Sequence, residues 1–378
     1  MGKKMKRLLA FITVFFTVLV IGYLQPVFFP AEKEQPKIQS SGRDTAHNAL
    51  PYEKIRTSGY AVYVEGKTSE FIEKFGEPKE KKATNFDYEL WIYGTQDSEY
   101  LEVNVRSERI LAIKAFNETE HTKPFNLDMT LSEVSELTTI YSNFAFTYES
   151  QKYDIELTEE DMNYRPLIAF DNDTFAILFF NQGSGELTAT VYLNDEMLLT
   201  LMPYQLYEGE PLSVQVIKSD ESLNSEKSQQ LIRVINLIKM REGLPSYYVN
   251  TESQKNAKML YELLQKDQKS IISSDRLENW NQSQQENLAT VSFTLTNEEY
   301  QKLLKMSPID QRKATGIFTE PVFDPSFTAL YWFSDSLYHS RFAHQENENI
   351  GVAFSKESVL VLLQEAENKK TQTTEESE

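Results

Sequence analysis

The stretch LLAFITVFFTVLVIGYL (residues 8–24) organises the rest of the chain, because it is almost wholly apolar and has the length of one membrane crossing. As an α-helix it spans roughly 26 Å, close to the hydrocarbon thickness of a bilayer. Four cations lie within residues 3–7, and the first acidic residue after the run is Glu32. By the positive-inside rule, the N-terminus is predicted to stay cytoplasmic and everything after residue 30 to be extracytoplasmic.

A cleaved signal peptide is the alternative interpretation of this N-terminus. Signal peptides share the basic start, but they have a shorter apolar core and small residues at the cleavage site. Here the run leaves through QPVFFP (residues 25–30), which places bulky side chains where a signal peptidase needs small ones. Residues 1–30 are therefore interpreted as an uncleaved membrane anchor, and residues 31–57, which are polar and lack a hydrophobic period, as a flexible tether.

Composition limits what the exported part can be. The 378 residues are enough for two domains of ordinary size. The absence of cysteine excludes a disulfide scaffold, a thiolate metal site, a cysteine nucleophile and a lipid-modified cysteine anchor. Export without disulfides fits a bacterium with a single membrane.

The charge of the exported part is strongly negative. The chain has 38 Lys and Arg against 57 Asp and Glu, and removing the four cations of residues 3–7 leaves 34 against 57, a formal charge of −23. Such a surface repels nucleic acid and anionic polymers, so no nucleic-acid partner is expected.

Residues 58–216 are predicted to form one α+β domain of two helix-plus-meander units. In the first unit, SEFIEKFGEP (69–78) has the apolar spacing of a helix followed by a Gly–Pro stop, and the runs YELWIYG, YLEVNVR and ILAIKAF follow as strands. The second unit begins with a capping box between Thr130 and Glu133. Its predicted strands are FAFTYES, LIAFD, TFAILFF, LTATVYL and MLLTLMP, the last covering residues 197–203.

The remainder is predicted to be a polar linker (217–228), a second domain (229–364) and a disordered tail (365–378). Helices are expected around Leu231, which Gly243 ends, around Leu260, and after Thr296, which forms a second capping box. The run IGVAFSKESVLVLL (350–363) predicts a β-hairpin.

These patterns resemble a known arrangement. The series SEFIEKFGEP, YELWIYG, YLEVNVR and ILAIKA resembles the CAP-associated N-terminal domain of exported Gram-positive proteins. In that family it precedes a CAP domain, the fold of cysteine-rich secretory proteins, antigen 5 and pathogenesis-related proteins. Asn236 with REGLP (241–245), ENLA (286–289) and IGV (350–352) resemble CAP motifs in the same order. The resemblance implies a C-terminal α-β-α three-layer CAP-like domain.

CAP domains carry a cavity in which two histidines and two glutamates can hold a divalent cation, and this chain departs from that pattern. Residues 279–283, NWNQS, lack the first histidine. For the second, two registers remain open: one places Asp310 at the histidine position, and the other keeps His339 but loses the neighbouring Pro and Arg. Glu286 matches a family glutamate. The cavity candidates are thus Glu286, Asp310 and His339, and no catalytic residue, metal or cofactor is predicted.

Other chemistries are not supported by motifs. The sequence has no G-x-S-x-G elbow, no H-E-x-x-H and no Gly-rich phosphate loop. His339 and His344 are five residues apart, a spacing that separates them on a helix. The leading hypothesis is a membrane-anchored envelope protein whose CAP-like domain binds a protein, glycan or lipid without catalysis. A hydrolase of cell wall or peptide is the alternative, and a regulatory partner of another membrane protein is the third.

Overall fold

The computed structural model describes residues 51–286, 292–342 and 347–365. The predicted anchor lies outside these residues, as do most of the predicted tether and the predicted tail from residue 366. Within the described residues, no helix combines the length and apolarity needed to cross a membrane.

The described residues form both helices and strands. The helices are α1 (Thr68–Phe75), α2 (Leu131–Leu137), α3 (Glu159–Tyr164), α4 (Asp195–Leu201), α5 (Glu221–Arg241), α6 (Thr251–Lys266), α7 (Gln268–Ile271), α8 (Ser274–Glu286), α9 (Asn297–Lys305), α10 (Pro325–Ser334) and α11 (Ser336–Phe342). The strands are β1 (Lys54–Ile55), β2 (Glu80–Ala83), β3 (Glu89–Tyr93), β4 (Leu101–Arg106), β5 (Arg109–Ala115), β6 (Asn143–Tyr148), β7 (Gln151–Glu156), β8 (Leu167–Phe170), β9 (Phe175–Phe180), β10 (Leu187–Leu193), β11 (Gln205–Glu208), β12 (Phe293–Thr294), β13 (Ala314–Glu320), β14 (Asn347–Ser355) and β15 (Ser358–Glu365).

The first predicted meander and three strands of the second, LIAFD, TFAILFF and LTATVYL, join edge to edge in one sheet of eight strands, ordered β1-β8-β9-β10-β5-β4-β3-β2. The joint is the antiparallel pairing of β10 with β5. The predicted strand FAFTYES instead forms β6. A second sheet, β11-β7-β6, belongs to the same region. The capping box of Thr130 with Glu133 is present at the start of α2, as its spacing predicts.

One predicted strand is a helix. Residues 197–203 were expected to be extended, but α4 occupies this stretch, and the Asn194 side chain caps it by accepting a hydrogen bond from the Met197 amide at 2.9 Å. Met197, Leu198 and Leu199 are all buried, so the run is apolar on every side and its periodicity cannot separate a helix from a strand.

Two predicted boundaries are also corrected. The predicted tether reaches residue 57, yet Lys54–Ile55 form β1 and pair in parallel with β8, a tertiary contact without a local sequence signal. The predicted linker reaches residue 228, yet α5 begins at Glu221 because the Asp220 side chain accepts a hydrogen bond from the Leu223 amide at 2.9 Å.

The C-terminal region has helices on both faces of the sheet β12-β13-β15-β14. Successive side chains of β15 lie on opposite faces of the sheet. Val361 packs with α5 and α10, whereas Leu360 packs with α6 and α9. The predicted hairpin is present, and the predicted capping box of Thr296 with Glu299 opens α9. This arrangement is the expected three-layer architecture.

The N-terminal region (residues 58–216, the first region) and the C-terminal region (residues 229–364, the second region) share a continuous core. Phe179 of β9 and Phe327 of α10 pack edge to face with ring centroids 5.4 Å apart. The Tyr88 hydroxyl also donates a hydrogen bond to the Phe323 carbonyl at 3.2 Å. The regions therefore meet through buried side chains.

We propose that residues 58–216 and 229–364 are two domains connected by residues 217–228, which comprise the exposed loop before α5 and the first two turns of α5. Trypsin is expected to cut first after Lys218, whose side chain is 58% exposed, and the fragments are expected to stay associated through the shared core. Mass spectrometry and size-exclusion chromatography test both points, with Lys218→Ala as the uncut control. First cleavage inside either domain contradicts the division.

Candidate functional site

Glu286, Asp310 and His339 are the three cavity candidates, and no contact between described residues joins them. Asp310 follows α9 at the surface, where Arg312 donates to it at 2.9 Å. Hydrogen bonds from the Arg312 side chain and amide lower the pKa of Asp310 to about 2. Glu286 is the last residue of α8, but its side chain lies outside the described part, as does His344.

His339 is partly buried on α11 and faces Glu242, which sequence reasoning missed. Its Nε2 lies 3.9 Å from Glu242 Oε2. Asn181, from the first region, donates a hydrogen bond to Glu242 Oε1 and accepts one from the Ser184 amide at 2.9 Å. These groups line a cavity of about 410 Å³. Glu242 sits in the REGLP turn, and no local pattern indicates that Asn181 lies opposite.

Burial changes the acidity of this pair in opposite directions. It raises the pKa of Glu242 to about 7, against the charge of Lys239, which lowers it. Burial also lowers the pKa of His339 below its ordinary value. Both groups therefore favour their neutral forms, as expected where water is excluded.

Replacing Glu242 by glutamine is expected to raise the melting temperature at pH 8 more than at pH 5. A folded-state pKa near 7, above the ordinary 4.5, means that folding favours the neutral acid. The ionised carboxylate therefore lowers the free energy of unfolding. This loss is absent below pH 4.5 and complete above pH 7. Glutamine keeps the acceptor for Asn181 but cannot ionise. Thermal unfolding at the two pH values measures the difference, with Glu120→Gln as the exposed control. An equal effect at both pH values would contradict the pKa shift.

A second cavity, of about 420 Å³, opens between the two regions. The first region contributes α3 with its flanks and the turn at residues 201–205, and the second contributes α10, the start of α11 and parts of β12 and β13. Its volume lies in the range of small-molecule sites.

Buried ion pairs support the walls of this second cavity. Arg165 donates two hydrogen bonds to Asp161, at 3.0 and 2.7 Å, and a third at 2.7 Å to the Ser334 carbonyl. Its guanidinium lies 4.5 Å from the centre of the Tyr331 ring. Arg165 therefore links α3 of the first region to α10 of the second.

A second buried group lies deeper in the junction. Lys114 of β5 binds Glu102 of β4 at 2.9 Å and also binds Asp324, the N-cap residue of α10. Glu102 accepts further hydrogen bonds from Tyr100 at 2.6 Å and Ser326 at 2.7 Å. Each charge is paired and hydrogen-bonded, which is the condition for keeping ions in a protein interior.

Metal binding has no candidate among the described residues, since no group of three or more histidine, aspartate or glutamate side chains is arranged to hold an ion there. The sequence-based expectation that the family's cation site is lost stays a prediction.

Comparison with known proteins identifies a family for the first region and a fold for the second. Residues 65–204 match the family described as "CAP-associated N-terminal", so this part of the chain is a domain of that family. The C-terminal region has the CAP-like fold, as two solved structures indicate.

The first is a cysteine-rich secretory protein from Staphylococcus aureus subsp. aureus Mu50, with a TM-score of 0.64, 17% identity, and coverage of 83% of this chain and 95% of that one. The second is an extracellular protein containing an SCP domain from Bacillus anthracis str. Ames, with a TM-score of 0.61, 17% identity, and coverage of 88% and 100%. At 17% identity, the similarity to these two structures establishes the fold alone. The sequence motifs that resemble the CAP-associated domain and the CAP domain had predicted this fold.

A curated relative is described as the uncharacterized membrane protein YlbC of Bacillus subtilis (strain 168). It is 22% identical over 191 residues, which are 50% of this chain and 55% of the relative. The match thus spans about half the length of that relative.

Proposed function

We propose that the protein is a membrane-anchored, extracytoplasmic component of the cell envelope that binds a ligand between its two regions and does not catalyse a reaction. The observation that carries the binding role is the 420 Å³ cavity with walls from both regions. Its buried Arg165 and Asp161 neutralise each other and hold their positions through several hydrogen bonds. Such prearranged walls suit binding, since little ordering remains to be done when a ligand enters.

The anchor and the extracytoplasmic location rest on three observations. Residues 8–24 have the length and apolarity of a membrane span, and basic residues precede them. The curated relative is described as a membrane protein, and one structural relative as extracellular.

A hydrolase is the second candidate, and His339 with Glu242 favours it. A carboxyl group with a pKa near neutrality beside an imidazole can serve as a general acid or base. An activated nucleophile or a metal-bound water would still be required. Among the described residues no group of side chains is arranged to hold a metal ion, and the hydroxyl of Ser184, which lines the same cavity, accepts a hydrogen bond from the Glu186 amide at 3.2 Å.

Topology is tested with the full chain carrying a C-terminal tag. Protease added to intact Gram-positive cells is expected to remove the tag and to leave a membrane-bound stub. Intact protein in the medium with an N-terminus beyond Pro30 would contradict the anchor.

Catalysis is tested with the purified full chain in detergent, incubated with cell wall and with peptides. Product release is expected to equal that of the Glu242→Gln variant. Glu120→Gln is the matched control, because Glu120 is 77% exposed and also lies close to an imidazole, 3.1 Å from that of His121. Release that Glu242→Gln abolishes and Glu120→Gln preserves would favour the hydrolase.

A further inference from the structure

The charges around the 420 Å³ cavity do not balance. Its lining includes the carboxylates of Glu160, Asp161, Asp324 and Asp335 and one cation, Arg165. Arg165 is paired with Asp161, and Asp324 is paired with Lys114 from behind the wall. Among the described residues, Glu160 and Asp335 thus have no cationic side chain as a salt-bridge partner.

These two carboxylates are neighbours. Glu160 Oε1 accepts a hydrogen bond at 2.9 Å from the amide of Ser336, the residue that follows Asp335. Their mutual repulsion shows in Asp335, whose pKa is raised by burial and then by the charge of Glu160, although the charge of Arg165 lowers it. A positive charge placed between them would relieve this repulsion.

Each carboxylate uses one oxygen for the protein. Glu160 accepts hydrogen bonds at Oε1, from Ser336 and Gln182, and Asp335 accepts hydrogen bonds at Oδ1, from the amides of Leu337 and Tyr338. Oε2 and Oδ2 therefore have no hydrogen-bond donor among the described residues and are available to a ligand.

Aromatic side chains line the same cavity. Tyr331 and Tyr338 have ring centroids 6.5 Å apart, and the Tyr338 hydroxyl donates to Thr294 at 3.0 Å. Phe323 and Phe327 add apolar surface. Arg165 already lies over the Tyr331 ring, and Arg341 lies 5.7 Å from the centre of the Tyr338 ring. The rings therefore supply apolar surface for the stem of a ligand, and the carboxylates supply the charge-assisted hydrogen bonds for an ammonium group.

We propose that this cavity binds a ligand bearing an ammonium group, with Glu160 and Asp335 as its acceptors and Tyr331 and Tyr338 beside its stem. The inference rests on the proposed binding function and gives it a ligand class. The exported surface carries an excess of acidic residues, which would raise the local concentration of such a ligand.

The test is calorimetric titration of the full chain in neutral detergent with two probes that differ in one charge. Nα-acetyl-lysine methylamide carries the ammonium group, and its Nε-acetylated form is neutral. The cationic probe is expected to bind at least about tenfold more tightly, because only it forms charge-assisted hydrogen bonds. Equal binding of the two probes, or no binding of the cationic one, overturns the proposal.

Two variants test the named acceptors. Glu160→Gln and Asp335→Asn each keep one acceptor oxygen for the amides that they now bind, and each removes one of two repelling charges, so the melting temperature is expected to stay the same or to rise. Each is expected to weaken binding of the cationic probe by about tenfold. Glu186→Gln, at the other cavity, is the control and should have no effect. Unchanged affinity in both variants overturns the assignment.

Calcium chloride distinguishes an ammonium site from a metal site. The cationic probe is expected to bind with similar affinity when millimolar calcium is present. Displacement of the probe by calcium, with tight calcium binding lost in Asp335→Asn, overturns the inference in favour of a metal ion. The proposed function then still stands, because a failed ammonium site leaves the anchor and the lack of hydrolysis untouched.

Discussion

Replacing Lys114 by methionine is expected to lower the free energy of unfolding by about 3–5 kcal/mol, because it leaves buried carboxylates without their cation. Lys114 is 1% exposed and lies between Glu102 and Asp324. Burial lowers the pKa of Lys114, but the charges of Asp324 and Glu102 outweigh it and hold this pKa above its ordinary value. Methionine fills a similar volume, so the loss reports the charge.

Denaturant unfolding measures this change, with Lys258→Met as the matched control. Lys258 is 64% exposed and pairs with Glu221 at 3.3 Å on the surface, where an ion pair contributes about 0–1 kcal/mol. A triple variant, Lys114→Met with Glu102→Gln and Asp324→Asn, is expected to recover part of the loss. Equal effects of Lys114→Met and Lys258→Met would show that the buried group is not needed.

Replacing Phe327 by alanine is expected to cost about 3–5 kcal/mol, the range for truncating a buried phenylalanine. Phe327 is 5% exposed and packs against Phe179, which belongs to the other region. Because the lost contact joins the two regions, both are expected to lose protection against hydrogen exchange.

Hydrogen exchange followed by mass spectrometry separates the two regions. Peptides from β9 and from β13 are expected to exchange faster in Phe327→Ala, and Leu337→Ala is the control, since Leu337 is 57% exposed. Faster exchange confined to β13 would mean that the C-terminal region unfolds by itself. The outcome thus also tests how independent the two proposed domains are.

The sequence predicts best those features whose signals are local. The two Thr–Glu capping boxes, the stop of α5 at Gly243 and the hairpin of β14 and β15 all depend on residues within a few positions of one another. Gly243 has a φ of 68°, a conformation that glycine adopts without strain.

Where periodicity is lost, sequence reasoning fails. The helix α10 was missed because it is apolar on nearly every side, although Asp324 before Pro325 is a recognisable helix start. The helix α4 was taken for a strand for the same reason. The strand β7 was also missed, although its apolar residues Tyr153 and Ile155 alternate and it pairs with the neighbouring β6.

The residues of the candidate site could also be predicted only in part. His339 could be singled out because histidine is rare in this chain and lies near a family motif. Its partner Glu242 could not, since about a hundred residues separate them. Only the packing of α5 against α10, which α11 follows, and against the first region brings Asn181, Glu242 and His339 together.

The sequence by itself determined the acidic, cysteine-free character of the chain, its apolar N-terminal run, the order of its two regions and their family resemblance. These follow from composition and from short-range patterns, which need no knowledge of the fold. The tertiary structure alone decided that strands of both meanders share one sheet, that Lys114 and Arg165 tie the regions together, and that a cavity lies between them. Such features depend on contacts between residues far apart in sequence, and burial sets their charge states and energies.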